Sequence, residues 1–217
     1  KAVEGYPAGV KDAFGITDLG TVEAYLHAEM FSLVLPLALA YCAMRWVAAA
    51  IAGAEEKGHL DTLLATPVAR RTLAASAFLT VALATAAVLL VTGALTTVAG
   101  AIAGDAVPVG RLAAGLAGVW ALALFFGGAA TLASGLVHRA GLALGTVGGL
   151  LGAMYVLDLV GKLSAPLHGV RWASAFRYYG APLQDGLDIA GFALLVAVGV
   201  LLAAAGAACF ERRDITG

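Results

Sequence analysis

Long apolar runs separated by short polar islands organise this chain. Five runs are long enough to cross a bilayer as helices, approximately Phe31 to Ala52, Leu73 to Ile102, Leu112 to Val137, Gly141 to Val160 and Ile189 to Phe210. A hydrocarbon core of about 30 Å takes roughly 20 helical residues. The second run exceeds that need, which implies tilt or an extension beyond the bilayer. No run alternates apolar and polar positions as a lipid-facing strand must, so a membrane β-barrel is excluded. The pattern predicts an all-α integral membrane protein, a polytopic bundle with five spans in this chain.

Five spans put the two ends of the chain on opposite sides. One side holds the island 53–71, the short "HRA" at 138–140 and the tail 211–217. The other holds residues 1–30, "GDAVPVGR" and the loop 163–188. Lys and Arg divide evenly between the two sides, so basic-residue bias does not orient the protein.

The island "GAEEKGHLDTLLATPVARR" (53–71) is the most informative polar stretch. Gly58 follows a helical run through Glu55, Glu56 and Lys57, where glycine permits a left-handed cap and a change of direction. Leu60, Leu63 and Leu64 then fall at i, i+3, i+4, one face of a short helix over 59–66. Thr66 precedes Pro67, which stops that helix and makes a start for the next, with Thr as cap and Pro in the first turn. A helix of about 8 residues, roughly 12 Å long, results. Its leucine face suits either a partner's groove or the headgroup layer, and Glu55, Glu56 and Asp61 disfavour the second beside anionic lipid.

Composition narrows the class. The 217 residues are 61% hydrophobic and 12% charged, against about 25% charged in soluble domains. A net charge of −1 without a basic tract argues against nucleic acid. Ala and Gly are abundant and Arg outnumbers Lys, a bias that fits a GC-rich bacterial genome. Cys42 and Cys209 lie in apolar runs without metal spacing and read as packing residues. His27, His59, His138 and His168 are scattered and read as solvated loop or span-end residues. No G-x-x-x-x-G-K-[ST] phosphate loop, HExxH or GxSxG motif is present, so the chain offers no ATPase site and no enzyme chemistry of its own.

Within the spans, Gly141, Gly145, Gly149 and Gly152 repeat at helical spacing and predict close helix packing in lipid, inside the subunit or at a dimer seam. Arg45 sits inside the first run, where it either snorkels to the interface or lines a substrate path. Asp158 lies near the far end of the fourth run and is a candidate path or gate residue. Trp172, Phe176, Tyr178 and Tyr179, with Arg171 and Arg177, form an aromatic and basic loop that suits interfacial anchoring.

The island resembles the loop of ABC type-2 exporter permeases, E-E-x-G-T-L-D-x-L-L-A-x-P-x-x-R. Glu55, Glu56, Gly58, Leu60, Asp61, Leu63, Leu64, Ala65 and Pro67 match it in register, while His59 stands where the pattern usually has Thr. The aromatic loop before the last span and the "RRDI" tail extend the likeness more loosely. The resemblance implies a bacterial plasma-membrane exporter subunit whose island is a cytosolic coupling element seated on a separate ATPase subunit. ATP and Mg would then be bound by that partner and not by this chain. It also implies six spans per subunit, with one preceding residues 1–30. A second permease copy or homologous half, and short helices in 163–188 that close the exit, follow from the same resemblance. The transported drug, lipid or polymer is not specified by any residue pattern.

Three other readings compete. An ABC importer permease would carry an E-A-A…G spacing with a later L-P, which is not met. An ATP-independent channel or secondary transporter would show inverted repeats or broken midplane helices, which are not evident. A membrane enzyme lacks a reactive constellation.

Overall fold

The computed structural model describes residues 27–58, 69–104 and 107–212. Wide π-helical turns over His27–Val34 run into α1 (Leu35–Ala50), and a kink at Ile51 separates it from the stub α2 (Ala52–Glu56). Then come α3 (Arg70–Ala103), α4 (Val109–Leu136) and α5 (Ala140–Leu163). A 3-10 segment (Ala165–Ala173) and two short helices, α6 (Ala175–Tyr179) and α7 (Pro182–Asp185), precede α8 (Ile189–Arg212). Among the described residues, five stretches are long and apolar enough to span a membrane, and each falls within about a turn of the run expected from sequence. No strand occurs among the described residues.

The helix starts follow local chemistry with one exception. Pro36 is the second residue of α1, directly after the π-helical turns. Gly104 ends α3 at φ +79°, a left-handed cap that a side chain would strain. The cap expected at Thr66 lies outside the described residues, but it does not belong to α3. Ala69 is extended (φ −66°, ψ 139°) and α3 begins at Arg70. Pro67 lies outside the described residues as well, and the extended residue at 69 stands between it and the start of α3.

α4 is the axis of the bundle. In its apolar stretch 67% is buried inside the chain, against 17–44% in the other four. α1, α3, α5 and α8 all pack on it. Glycine makes the tightest of these contacts possible. A Cβ on Gly128 would overlap the carbonyl oxygen of Gly199, and one on Gly135 would overlap that of Gly206. Cβ atoms on Gly199 and Gly206 would in turn strike the backbone at Leu124 and Thr131. The two contacts recur seven residues apart on both helices, in the same sense, so α4 and α8 run parallel with a near-heptad seam.

The remaining registers follow from similar contacts. The space above Gly115 is filled by the Phe31 ring and that near Gly127 by Ala43, so α1 also runs parallel to α4. α3 is antiparallel to α4: Leu116 lies over Gly93, and the Trp120 indole N–H donates to the Ala82 carbonyl at 3.0 Å. α5 packs antiparallel to α1, with Met44 near Gly148 and Gly53 near Ala140. α5 and α8 both lean on α4 but scarcely on each other, and α6 bridges the cleft between them.

Gly141, Gly145, Gly149 and Gly152 face no helix among the described residues. A Cβ at any of them meets nothing within 4 Å, because this face of α5 points outward. Gly128, Gly135, Gly199 and Gly206 perform the packing expected of them. Gly128→Ala or Gly206→Ala should therefore lower the melting temperature of detergent-solubilised protein by several degrees, the scale of about 1–3 kcal/mol of overpacking. Gly145→Ala should leave it unchanged, and equal melting of all three variants would remove the glycine contact as what sets the α4–α8 distance.

Candidate functional site

Three groups of predicted residues now have positions. The first surrounds the acidic stub α2. Its helix ends as the Gly58 N–H bonds to the Glu55 carbonyl at 2.9 Å, with Gly58 at φ +70°. The left-handed turn anticipated for Gly58 is present, and it redirects the chain immediately before residue 59. Leu60, Asp61, Leu63, Leu64 and Pro67 lie outside the described residues.

Glu55 and Glu56 make contacts inside the chain that sequence reasoning missed. The Glu55 Oε1 lies 2.7 Å from the His138 Nδ1, and its side chain is only 9% exposed. The Glu56 Oε2 accepts the Ala140 backbone N–H at 3.2 Å. Ala140 is the first residue of α5, so Glu56 caps that helix from another loop and places negative charge at its N-terminus. His138, expected to be solvated, is half-exposed and pairs with Glu55. The signal available in sequence was weak: one acidic and one His-bearing turn on the same side of the membrane.

The second group is on the outward face of α1. Arg45 is exposed there and makes no ion pair or side-chain hydrogen bond among the described residues. Tyr41 and Trp46 beside it are 45% and 43% exposed. Eleven residues separate Arg45 from Glu56, about 16 Å of helix and half a hydrocarbon core. α5 flanks this face on one side. On the other, an apolar groove of about 410 Å³ separates Trp46 and Ala50 from Leu73, Ala77 and Val81 of α3.

The third group closes the opposite end of the bundle. Asp158 is buried on α5 and receives two cations: Lys162 Nζ at 2.8 Å from Oδ2 and Arg171 Nε at 2.9 Å from Oδ1. The Arg171 stem lies directly over Gly161, where a Cβ would overlap it. Arg171 also reaches the His168 Nε2 at 3.3 Å. Asp158 thus clamps the 3-10 segment onto α5. Ser174 adds a second tie, donating to the Met154 carbonyl at 2.6 Å and accepting the Phe176 N–H at 3.2 Å.

The aromatic residues of this end divide by burial. Phe176 packs edge-on against Tyr155 and tilted against Phe126. The Tyr179 hydroxyl donates to the Phe31 carbonyl at 2.7 Å, fastening α6 to the π-helical turns. Burial raises the Tyr179 phenol above its ordinary pKa, so it stays a donor at physiological pH. Trp172 is 61% exposed, with the Arg177 guanidinium 3.8 Å from its ring centre. Phe176 and Tyr179 are therefore core residues of the cap, and Trp172 faces outward.

Removing the buried carboxylate leaves Arg171 and Lys162 facing each other, at a cost of about 3–5 kcal/mol. Asp158→Ala should accordingly destabilise the subunit far more than Lys162→Gln, whose cation is 33% exposed. Melting in detergent checks this, and similar losses for both variants would contradict a clamp centred on Asp158.

Comparison with known proteins adds the family. A search of curated proteins and a search of solved structures each returned no match. A family model described as multidrug efflux system permease Rv1217c, C-terminal domain, matches residues 8–211. The match agrees with the exporter-permease likeness of the island and with five membrane-length helices. The chain belongs to this family of efflux permeases and is a multi-pass membrane transport subunit.

Proposed function

We propose that this chain is the permease of an ATP-driven ABC exporter in a bacterial plasma membrane, forming the drug path and coupling it to a separate ATPase subunit. The observation that carries the proposal is the acidic stub ended by the Gly58 turn, directly before the leucine-bearing run 59–66. In this reading residues 1–30 are extracytoplasmic and follow a further span, and residues 31–217 form the transmembrane domain. The loop 53–71 and the tail 211–217 are cytosolic. The partner binds ATP and Mg, and a second permease copy or homologous half completes the pathway.

The intrachain contacts of α2 suggest how a push on 59–66 would spread. Glu55 and Glu56 bolt the stub to the turn before α5, so displacement of the stub moves α1 and the α4–α5 junction together. With those two carboxylates engaged, Asp61 and the leucines remain to face the ATPase. Coupling then requires that these contacts differ in free energy between the open and closed ATPase dimer.

Arg45 belongs to the path in this scheme. A cation near mid-membrane is costly against lipid and is tolerated beside water or an anionic partner. Tyr41 and Trp46 supply polar-tipped aromatic surface around it. At the opposite end, the cap held by Asp158, Phe176 and Tyr179 serves as the exit closure, with Trp172 at its rim.

Leu63→Asp should leave membrane insertion intact and abolish drug-stimulated ATPase activity of the co-purified complex. Glu56→Ala should do the same with an added loss of thermal stability, since it also uncaps α5. Normal stimulation in both variants would sink the coupling role, and absence of any co-purifying ATPase would favour an ATP-independent transporter. Arg45→Gln should preserve the complex and its basal ATPase rate while reducing drug efflux from energised vesicles several-fold. Unchanged efflux would take Arg45 out of the path.

A further inference from the structure

The cap carries a cavity beside its clamp, with Arg171 shared between the two and Trp172 on its wall. It measures about 470 Å³ and lies between the 3-10 segment, α6 and the first two turns of α8, with Arg171, Trp172, Arg177, Tyr178, Asp188 and Leu194 among its lining. Next to it, sharing Tyr178 and Leu194, is an apolar hollow of about 130 Å³ in the cleft between α5 and α8. Met154, Phe125 and Val198 line that hollow.

The charge around the larger cavity is not balanced. Lys162, Arg171 and Arg177 supply three cations, and His168 stands beside Arg171. Asp158 and Asp188 supply two carboxylates. Asp158 is taken by Lys162 and Arg171, and Asp188 Oδ1 accepts the Ala190 N–H at 3.1 Å. Arg177 has no carboxylate partner among the described residues and is held over the Trp172 ring at 3.8 Å. Its guanidinium is thus oriented, with its donors unspent on any anion among the described residues.

Depth and polarity match one kind of occupant. Asp188 and Leu194 are six residues apart, about 9 Å along α8, so the basic part lies at headgroup level and the apolar hollow below it. We propose that this pair of cavities binds one anionic glycerophospholipid. Its phosphate meets Arg177 and the outer edge of Arg171, its glycerol lies against Trp172 and Tyr178, and the first carbons of an acyl chain enter the α5–α8 cleft. The lipid would complete the contact that α5 and α8 do not make themselves and hold the cap to the bundle. The site depends on the membrane position of these helices and not on ATPase coupling or on the path through Arg45.

The test uses the full chain with whatever subunits co-purify, reconstituted in nanodiscs of equal phosphatidylglycerol and phosphatidylcholine, then detergent-extracted for native mass spectrometry. Wild type should retain phosphatidylglycerol preferentially, and its melting temperature should rise on adding that lipid but not phosphatidylcholine. Arg177→Gln should weaken retention about fivefold, the scale of one basic residue at an anionic surface. Arg212→Gln, a charge change at the other end of α8, should leave retention unaltered. Wild-type retention of both lipids to the same extent would show interfacial anchoring only and overturn the site. Undiminished phosphatidylglycerol retention in Arg177→Gln would overturn it as well. Millimolar inorganic phosphate should not displace the lipid, and displacement would reassign the cavity to a free anion. ATPase and efflux assays on the same samples report separately on the transport reading.

Discussion

Lipid withdraws the force that packs most soluble proteins, because an apolar side chain gains little by leaving acyl chains for another helix. What remains is contact at short range, and the α4–α8 seam is where this bundle obtains it. Gly128 and Gly135 lie against the backbone of Gly199 and Gly206 with no side chain between. The seam positions α8 along the central helix and leaves its other side free of α5. That arrangement creates the cleft under the cap and requires a bridge of short helices above it.

Charges sit at the two ends and follow the same economy. At one end, Glu55 and Glu56 satisfy His138 and the first N–H of α5, drawing three segments of the chain into a single junction. At the other, Asp158 holds Lys162 and Arg171, and the Ser174 and Tyr179 hydroxyls donate to the Met154 and Phe31 carbonyls. Both sets join separate elements of the chain. Arg45 is the exception, a membrane-depth charge outside either junction, and for that reason it invites a functional account.

The acidic residues show how structure and function overlap at one position. Glu56 belongs to the loop that resembles a partner-facing element, and it also caps a helix of its own chain. A side chain in both roles would make coupling and folding inseparable at that residue. The outward glycines of α5 illustrate the reverse. Their spacing is the one lipid-embedded helices use for close approach, yet nothing among the described residues lies against them.

Sequence by itself determined the helical class, the five spans, the Gly58 turn and the likeness to exporter permeases. These depend on run length, backbone freedom at one residue and a contiguous motif, all of them local quantities. Only the tertiary structure decided which glycines pack, which charges pair and where cavities form. Gly141 and Gly128 look alike in sequence, because spacing reports a helix face but not its neighbour. Asp158 meets Arg171, and Glu55 meets His138, only after helices fix their register, and that register comes from contacts between residues far apart in the chain.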